Sequence, residues 1–407
     1  MEFRVTLKSS KVADNRVSSL SVVLAVPGVF HTFELAHELD HRGYLKQIYS
    51  TFPWKRLKRE GLSRDKVRMF PWIHPPQLVF GGHLPEGLNR DIGLAVARSF
   101  DWYIARTLPD CHVFVALSGC GVVSGRRAKQ MGARFICDRG SSHIRYQAEI
   151  LAEEYARWGI DRAVIVDPRT IAREETEYQQ ADVITIPSEF ARRSFIEKGI
   201  PAAKLRKIPY GVRLDRFSPS LPPASGTFEV LFAGQVALRK GIPYLLEAFS
   251  RLKHPRKRLR IVGTVQPEFK ALAARFDLAN VEILGSKPQA ELARIMSSSH
   301  VLVLPSVEEG LALVQAQAMA CGCPLISSTN TGGEDLFSDG VEGFLVPIRS
   351  PEAIAERLQQ LADDPDLQQR MSEAGSSRVR RIGGWREYGE RWMELLNREA
   401  SSAAALQ

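Results

Sequence analysis

The chain has 407 residues, 25% of them charged and 44% hydrophobic, which is length for two or three domains and the composition of an ordinary globular protein. Its longest apolar stretch, Leu20 to Phe30, is too short to span a bilayer, and the polar, mixed N-terminus lacks the pattern of a signal peptide. Five cysteines without framework spacing argue for reduced thiols and a cytoplasmic location.

The net charge of +9 is unevenly placed. Residues 1–216 hold 34 Lys/Arg against 24 Asp/Glu, a net of +10; residues 217–407 hold 21 against 22, a net of −1. A basic first half suits an anionic partner. No cysteine/histidine finger, recognition-helix pattern or aromatic RNA platform accompanies the charge, so nucleic acid is the weaker choice.

Residues 1–20 are expected to form an ill-ordered arm or an edge strand. Ser21 to Pro27 (SVVLAVP) is a continuous apolar run, as expected of a strand buried in a parallel sheet. Gly28 follows, then helical periodicity from His31 to Arg42, then a strand from Leu45 to Tyr49, together a βαβ unit. Gly28 marks either a sharp turn or a close approach of backbone to a ligand.

Residues 55–68 hold seven cations (Lys55, Arg56, Lys58, Arg59, Arg64, Lys66, Arg68) against Glu60 and Asp65. Phe52, Trp54, Leu57, Met69, Phe70 and Trp72 flank them. The pattern suits either a solvated basic face over core aromatics or a peripheral contact with an anionic membrane through residues 52–72.

A strand is expected at His112 to Leu117, a helix at Val123 to Gln130 and a strand at Arg134 to Cys137. His143, with Arg139 and Arg145 beside it, follows the carboxyl end of that strand, where side chains reach ligands; a buried structural histidine is the alternative. Helix, strand and Ser188-capped helix signals run from Glu174 to Gly199. The Pro- and Ser-rich stretch Phe217 to Thr227 is expected to link two domains, 1–216 and 228–384, with a last helix (about 385–407) returning to the first.

The second half opens with a strand, Glu229 to Ala233, then Gly234-Gln235 and Arg239-Lys240-Gly241 ahead of a helix, Ile242 to Leu252. Glycine turns with cations before a helix suit phosphate. Strands follow at Arg258 to Gly263 and Val281 to Gly285. An apolar strand from Val301 to Leu304 then stops at Pro305-Ser306, and Glu308, Glu309 and Gly310 precede the helix Leu313 to Ala320. Another strand starts at Leu325. In a strand–turn–helix unit a ligand sits at the carboxyl end of the strand, against the unpaired amides of the helix. Glu309 there either accepts hydrogen bonds from sugar hydroxyls or merely complements the helix dipole. Gln317 lies about two helical turns further on. Beyond Pro347, helices are expected at Pro351 to Ala362, Asp364 to Met371 and Trp385 to Asn397, with a frayed tail from Ser401.

The run Glu309-Gly310, Gln317-Ala318-Met319-Ala320, Gly322 and Pro324, followed by Gly332-Gly333, Gly340 and Gly343, resembles the signature of the family 4 (group 1) retaining glycosyltransferases of GT-B fold. The sequence departs from the family pattern at Gln235 (usually Arg), Ala312 (usually Gly) and Gln317 (usually Glu). The resemblance implies an α/β fold of two doubly wound Rossmann-like domains facing a central cleft. It implies transfer of a sugar from a nucleotide-diphosphate-sugar to an acceptor hydroxyl with retained configuration, in polysaccharide, lipopolysaccharide or glycolipid synthesis. By the same resemblance, Glu309 and His143 hold the sugar and Gln317 the ribose. Lys240 neutralises the diphosphate with Gly234, Gln235, Arg239 and the backbone of Gly310, Leu311, Ala312 and Leu313, while Gly28 approaches it from across the cleft. Gly263 and Lys287 border the base. By the same resemblance no metal or other cofactor is expected, the ammonium and amides standing in place of one. A GT-B epimerase or phosphorylase, or a non-catalytic nucleotide-sugar-binding protein, are the alternatives, and the enzyme is expected to be cytoplasmic, at the inner face of the membrane.

Overall fold

A computed structural model describes residues 20–81, 84–161, 165–213 and 215–404. The expected arm at residues 1–19 and the last three residues of the expected tail lie outside them. Among the described residues thirteen strands form two parallel sheets. The first contains β1 (Val22–Val26), β2 (Leu45–Ser50), β3 (Val67–Met69), β4 (Val113–Leu117), β5 (Arg134–Asp138), β6 (Val183–Ile186) and β7 (Leu205–Lys207). Its order is β3-β2-β1-β4-β5-β6-β7. The second contains β8 (Phe228–Ala233), β9 (Lys257–Val262), β10 (Val281–Gly285), β11 (Val301–Leu304), β12 (Leu325–Ser328) and β13 (Gly343–Val346), in the order β10-β9-β8-β11-β12-β13.

The central strands are apolar along their whole length because helices cover both faces. Every residue of β1 (VVLAV) and of β11 (VLVL) is buried. Strand order reverses between β1 and β4 in the first sheet and between β8 and β11 in the second. The crevices of a doubly wound sheet open at such switch points.

Every strand and helix expected from the sequence is present, with ends shifted by a residue or two in most cases. The helix expected to end at Met371 instead runs Pro365–Ile382. Gly375 does not stop it. The helix packs against Leu313–Ala320, and a Cβ at Gly375 would make only an ordinary contact with Met319, at 3.7 Å. The last helix, Trp385–Ala404, continues through part of the expected tail. It packs on the helix His31–His41 and on β4 and β5 of the first sheet, burying Tyr388 and Trp392. Glu399 anchors it through Arg134 at 2.7 Å.

The basic segment is only partly what its flanking aromatics imply. Leu57 is buried, and Phe52, Trp54, Met69 and Phe70 are half-buried. Trp72 is 75% exposed, and the helix His74–Phe80 after it exposes Leu78, Val79 and Phe80 by 60–66%. The apolar surface therefore lies on Trp72 to Phe80 rather than among the lysines and arginines.

Candidate active site

The carboxyl ends of the two sheets face each other across one cavity of about 520 Å³. From the first sheet it is lined by Phe30 and His31 after β1, Leu117 and Ser118 after β4, and Arg139 to Ser141 after β5. From the second come Ala233 and Gly234 after β8, Lys240, and Glu309 and Leu311 to Val314 after β11. A smaller cavity of about 240 Å³ adjoins it and is lined by Gln317, Gln289, Glu34, Arg213 and Trp385, among others.

Lys240 and Glu309 form an ion pair inside the larger cavity. Gly241 permits this placement. Its φ is +68°, and a Cβ would lie 2.0 Å from the carbonyl oxygen of Pro305, so only glycine lets the Lys240 turn pass beneath β11. Burial first, then the adjacent Arg239 guanidinium, pull the Lys240 ammonium down to about 7, while Glu308 acts in the opposite direction. The Oε2 of Glu309 is buried and accepts no ordinary hydrogen bond; it is held by Lys240 and, at 3.5 Å, by Arg239. A charged pair that lines a cavity can exchange one partner for a ligand of the right charge.

Glu308, which the sequence offers only as part of an acidic turn, is the most buried acid of the site and joins the two halves. It accepts from Ser141 Oγ at 2.6 Å, Ser142 Oγ at 2.7 Å and Gln147 Nε2 at 2.8 Å, and pairs with Arg239 at 3.3 Å. Burial raises its carboxyl, but Arg239 and these hydrogen bonds outweigh burial and hold it below the usual range. Gly310 beside it touches the first half directly: a Cβ would lie 2.1 Å from the Gly140 oxygen. Replacing Glu308 by alanine leaves Ser141, Ser142 and Gln147 without their buried acceptor and removes one partner of Arg239, and unfolding free energy should fall by about 3 kcal/mol. The lowered carboxyl makes this contribution present above the ordinary carboxylate range and lost as pH falls through the lowered value. A denaturant titration at neutral pH measures it; a change below about 1 kcal/mol would show that the clamp contributes little.

The structure brings Glu309, Lys240, Gly234, Leu311, Ala312 and Leu313 into one cavity and Gln317 into its neighbour. The other expected site residues lie elsewhere. Gly28 has φ +97° and its carbonyl accepts from Ser50 Oγ; the cavity lining begins two residues later at Phe30. Gln235 is exposed and outside the cavity. Arg239 does not stand in for the missing arginine as a free charge, since it bonds the Glu308 carbonyl at 3.0 Å and both acids. Gly263 packs against the backbone of Gly234, and Lys287 pairs with Glu291 at 2.8 Å, neither reaching the cavity lining.

His143 lies outside the cavity lining. It is 2% exposed, caps the helix Ile144–Arg157 by accepting from the Arg145 amide, and its ring sits 5.1 Å from Tyr178 and 5.0 Å from Phe195. Burial pulls its imidazole down to about 4. The histidine in the cavity lining is His31, whose Nε2 meets Asp138 at 2.7 Å. Sequence periodicity places His31 only at the start of a helix. The signal that could have found it is that this start follows the buried strand β1, at the end where ligands bind.

Residues 215–378 match the family model described as glycosyl transferases group 1. These residues form a group 1 glycosyltransferase domain. Among its relatives, the D-inositol 3-phosphate glycosyltransferase of Streptomyces bingchenggensis is 34% identical over 200 residues, 42% of this chain and 43% of that protein. The putative colanic acid biosynthesis glycosyltransferase of Escherichia coli is 29% identical over 198 residues, 45% and 49% of the two chains. The match thus spans less than half of each relative. The group 1 domain lies within a GT-B fold shared along almost the whole chain. Sucrose-phosphate synthase from Thermosynechococcus elongatus superposes with a TM-score of 0.70 at 19% identity, over 94% of this chain and 100% of that one. Anabaena HepE in complex with UDP-glucose superposes at 0.66 and 15% identity, over 93% and 99%.

Proposed function

We propose that this protein transfers a sugar from a nucleotide-diphosphate-sugar to an acceptor hydroxyl, with retention of configuration. The observation that carries the proposal is the Lys240–Glu309 pair, buried between two sheets at their carboxyl ends and beside the start of the helix Leu313–Ala320. A departing diphosphate gains from an ammonium and from unpaired helix amides, which act strongly in a water-poor cleft. Glu309, released from Lys240 by that diphosphate, accepts from the sugar hydroxyls. The nucleoside occupies the smaller cavity with its ribose on Gln317. These groups serve the leaving group without a metal, and the leaving phosphate takes the acceptor proton.

The class of acceptor is a glycan or a lipid-linked glycan, made on the cytoplasmic side of a membrane. Relatives named for inositol phosphate and colanic acid glycosylation support this breadth without choosing within it. Among the described residues no helix is long and apolar enough to cross a membrane, so contact would be peripheral. Exposed Trp72, Leu78, Val79 and Phe80 beside the seven cations of 55–68 fit an anionic interface. Wild-type protein should pellet with vesicles rich in phosphatidylglycerol. Neither the charge-reversed protein nor the one with serine at those four apolar positions should do so. Equal pelleting of all three would end the membrane assignment.

A thermal-shift screen against nucleotide-sugars, followed by mass-spectrometric detection of transfer to glycan and lipid acceptors, tests the function. A binder stabilises the fold by mass action. No stabilisation by any nucleotide-sugar would overturn it.

A further inference from the structure

We propose that His31 meets the donor diphosphate from the first half of the molecule, its Nδ1–H donating to a phosphate oxygen while Asp138 holds the ring by accepting from Nε2–H. This rests on the nucleotide-sugar assignment above. Phe30, His31 and Leu313 are the residues common to the linings of both cavities. A ligand with its nucleoside in the smaller cavity and its sugar in the larger one must pass its diphosphate along this shared wall.

The ring is fixed before any ligand arrives. Its Nε2 gives one bond to Asp138 Oδ2 at 2.7 Å, and the other oxygen of Asp138 accepts from Thr185 Oγ1 at 2.8 Å. Tyr210 lies against the ring with centroids 4.5 Å apart. Nδ1 has no partner among the described residues. A histidine whose first nitrogen is tied to a carboxylate has its second nitrogen set for one task. His31 is also the first residue of an 11-residue helix, whose opening amides add to the attraction for an anion.

The other side of the cleft needs such a group. Gln235 is neutral and exposed, Arg239 is committed to Glu308, and Lys287 is paired with Glu291. Of the arginines around the two cavities, Arg139 bonds Glu174 at 2.9 Å and the Ser142 carbonyl at 3.0 Å, and Arg213 pairs with Glu34. Lys240 alone would face a diphosphate from the second half.

The test is isothermal titration of the full-length protein with uridine, adenosine and guanosine diphosphates and with their parent nucleosides. With the diphosphate that wild type binds, His31→Gln should weaken affinity roughly ten- to a hundredfold, the range for a hydrogen bond to a charged group. Affinity for the nucleoside should stay within about twofold. Asp138→Asn should move the diphosphate affinity the same way by less, and His31→Asn serves as a second truncation should the glutamine variant unfold. Unchanged diphosphate affinity in His31→Gln would overturn the proposal. So would equal loss of diphosphate and nucleoside, which marks a packing role. Failure of the wild type to bind any of the three diphosphates would overturn the donor assignment itself, and the His31 proposal with it, before any variant is made.

Discussion

Glu309→Gln should lower sugar transfer by roughly a hundred- to a thousandfold while leaving nucleoside diphosphate affinity intact or raised. The two halves of this expectation come from one geometry. In the free protein the Glu309 carboxylate neutralises Lys240 in the cavity, and its Oε2 takes no ordinary hydrogen bond. Glutamine removes that competition, so a diphosphate meets an ammonium that need not first leave a carboxylate. On the proposed function the same change also removes the charged acceptor that orients the sugar, and losing one preorganised charged contact at a reacting centre costs on this scale. Titration with nucleoside diphosphate and single-turnover transfer separate the two effects. A variant keeping more than a tenth of wild-type transfer would remove Glu309 from the reaction.

The sequence made the frame of the molecule legible because a parallel sheet covered on both faces needs strands apolar throughout. The runs VVLAV and VLVL could hardly be anything else. The loop after β11 was legible for a related reason: acids, glycine and strong helix formers in that order leave few alternatives to a strand–turn–helix unit. What stayed hidden depends on contacts between distant segments. Glu308 and Glu309 are neighbours in a turn, and no local pattern distinguishes them. One joins the halves through Ser141, Ser142 and Gln147, and the other faces the cavity with Lys240. The positions of His143 and His31 relative to the cavity were hidden for the same reason. Both open a helix after a sheet strand, yet Tyr178 and Phe195 enclose the first, whereas the second lies where two cavities meet. The helix Glu86–Thr107, twenty-two residues long, escaped notice because its face carries Asp101, a buried acid that Arg173 and Ser124 satisfy from elsewhere in the chain. A charged residue on an apolar stripe blurs the period that announces a helix.

Lys240→Met should weaken nucleoside diphosphate binding at neutral pH by roughly a hundredfold and remove a pH dependence that wild type displays. Burial and Arg239 bring the free-state ammonium down to about 7. The sign follows from the charge the ligand requires. Below pH 7 the group is already an ammonium, and an anionic ligand binds without proton uptake. Above pH 7 an increasing fraction is neutral, and the ligand must draw a proton into the site as it binds. Affinity therefore falls as pH rises from 7 toward 9, by at most about tenfold per unit. Calorimetry in two buffers of different ionisation enthalpy should show proton uptake in this window. The phosphate's own ionisation contributes mainly at lower pH, so it does not mimic the effect. In Lys240→Met residual binding, measured at high ligand concentration, should lose this uptake. Methionine keeps the length and apolar stem of lysine, so the loss reports the charge rather than the packing beneath Pro305. Wild-type affinity that is flat from pH 7 to 9 would mean that Glu309 keeps Lys240 fully charged throughout, and that the pair opens to the ligand without a change in protonation.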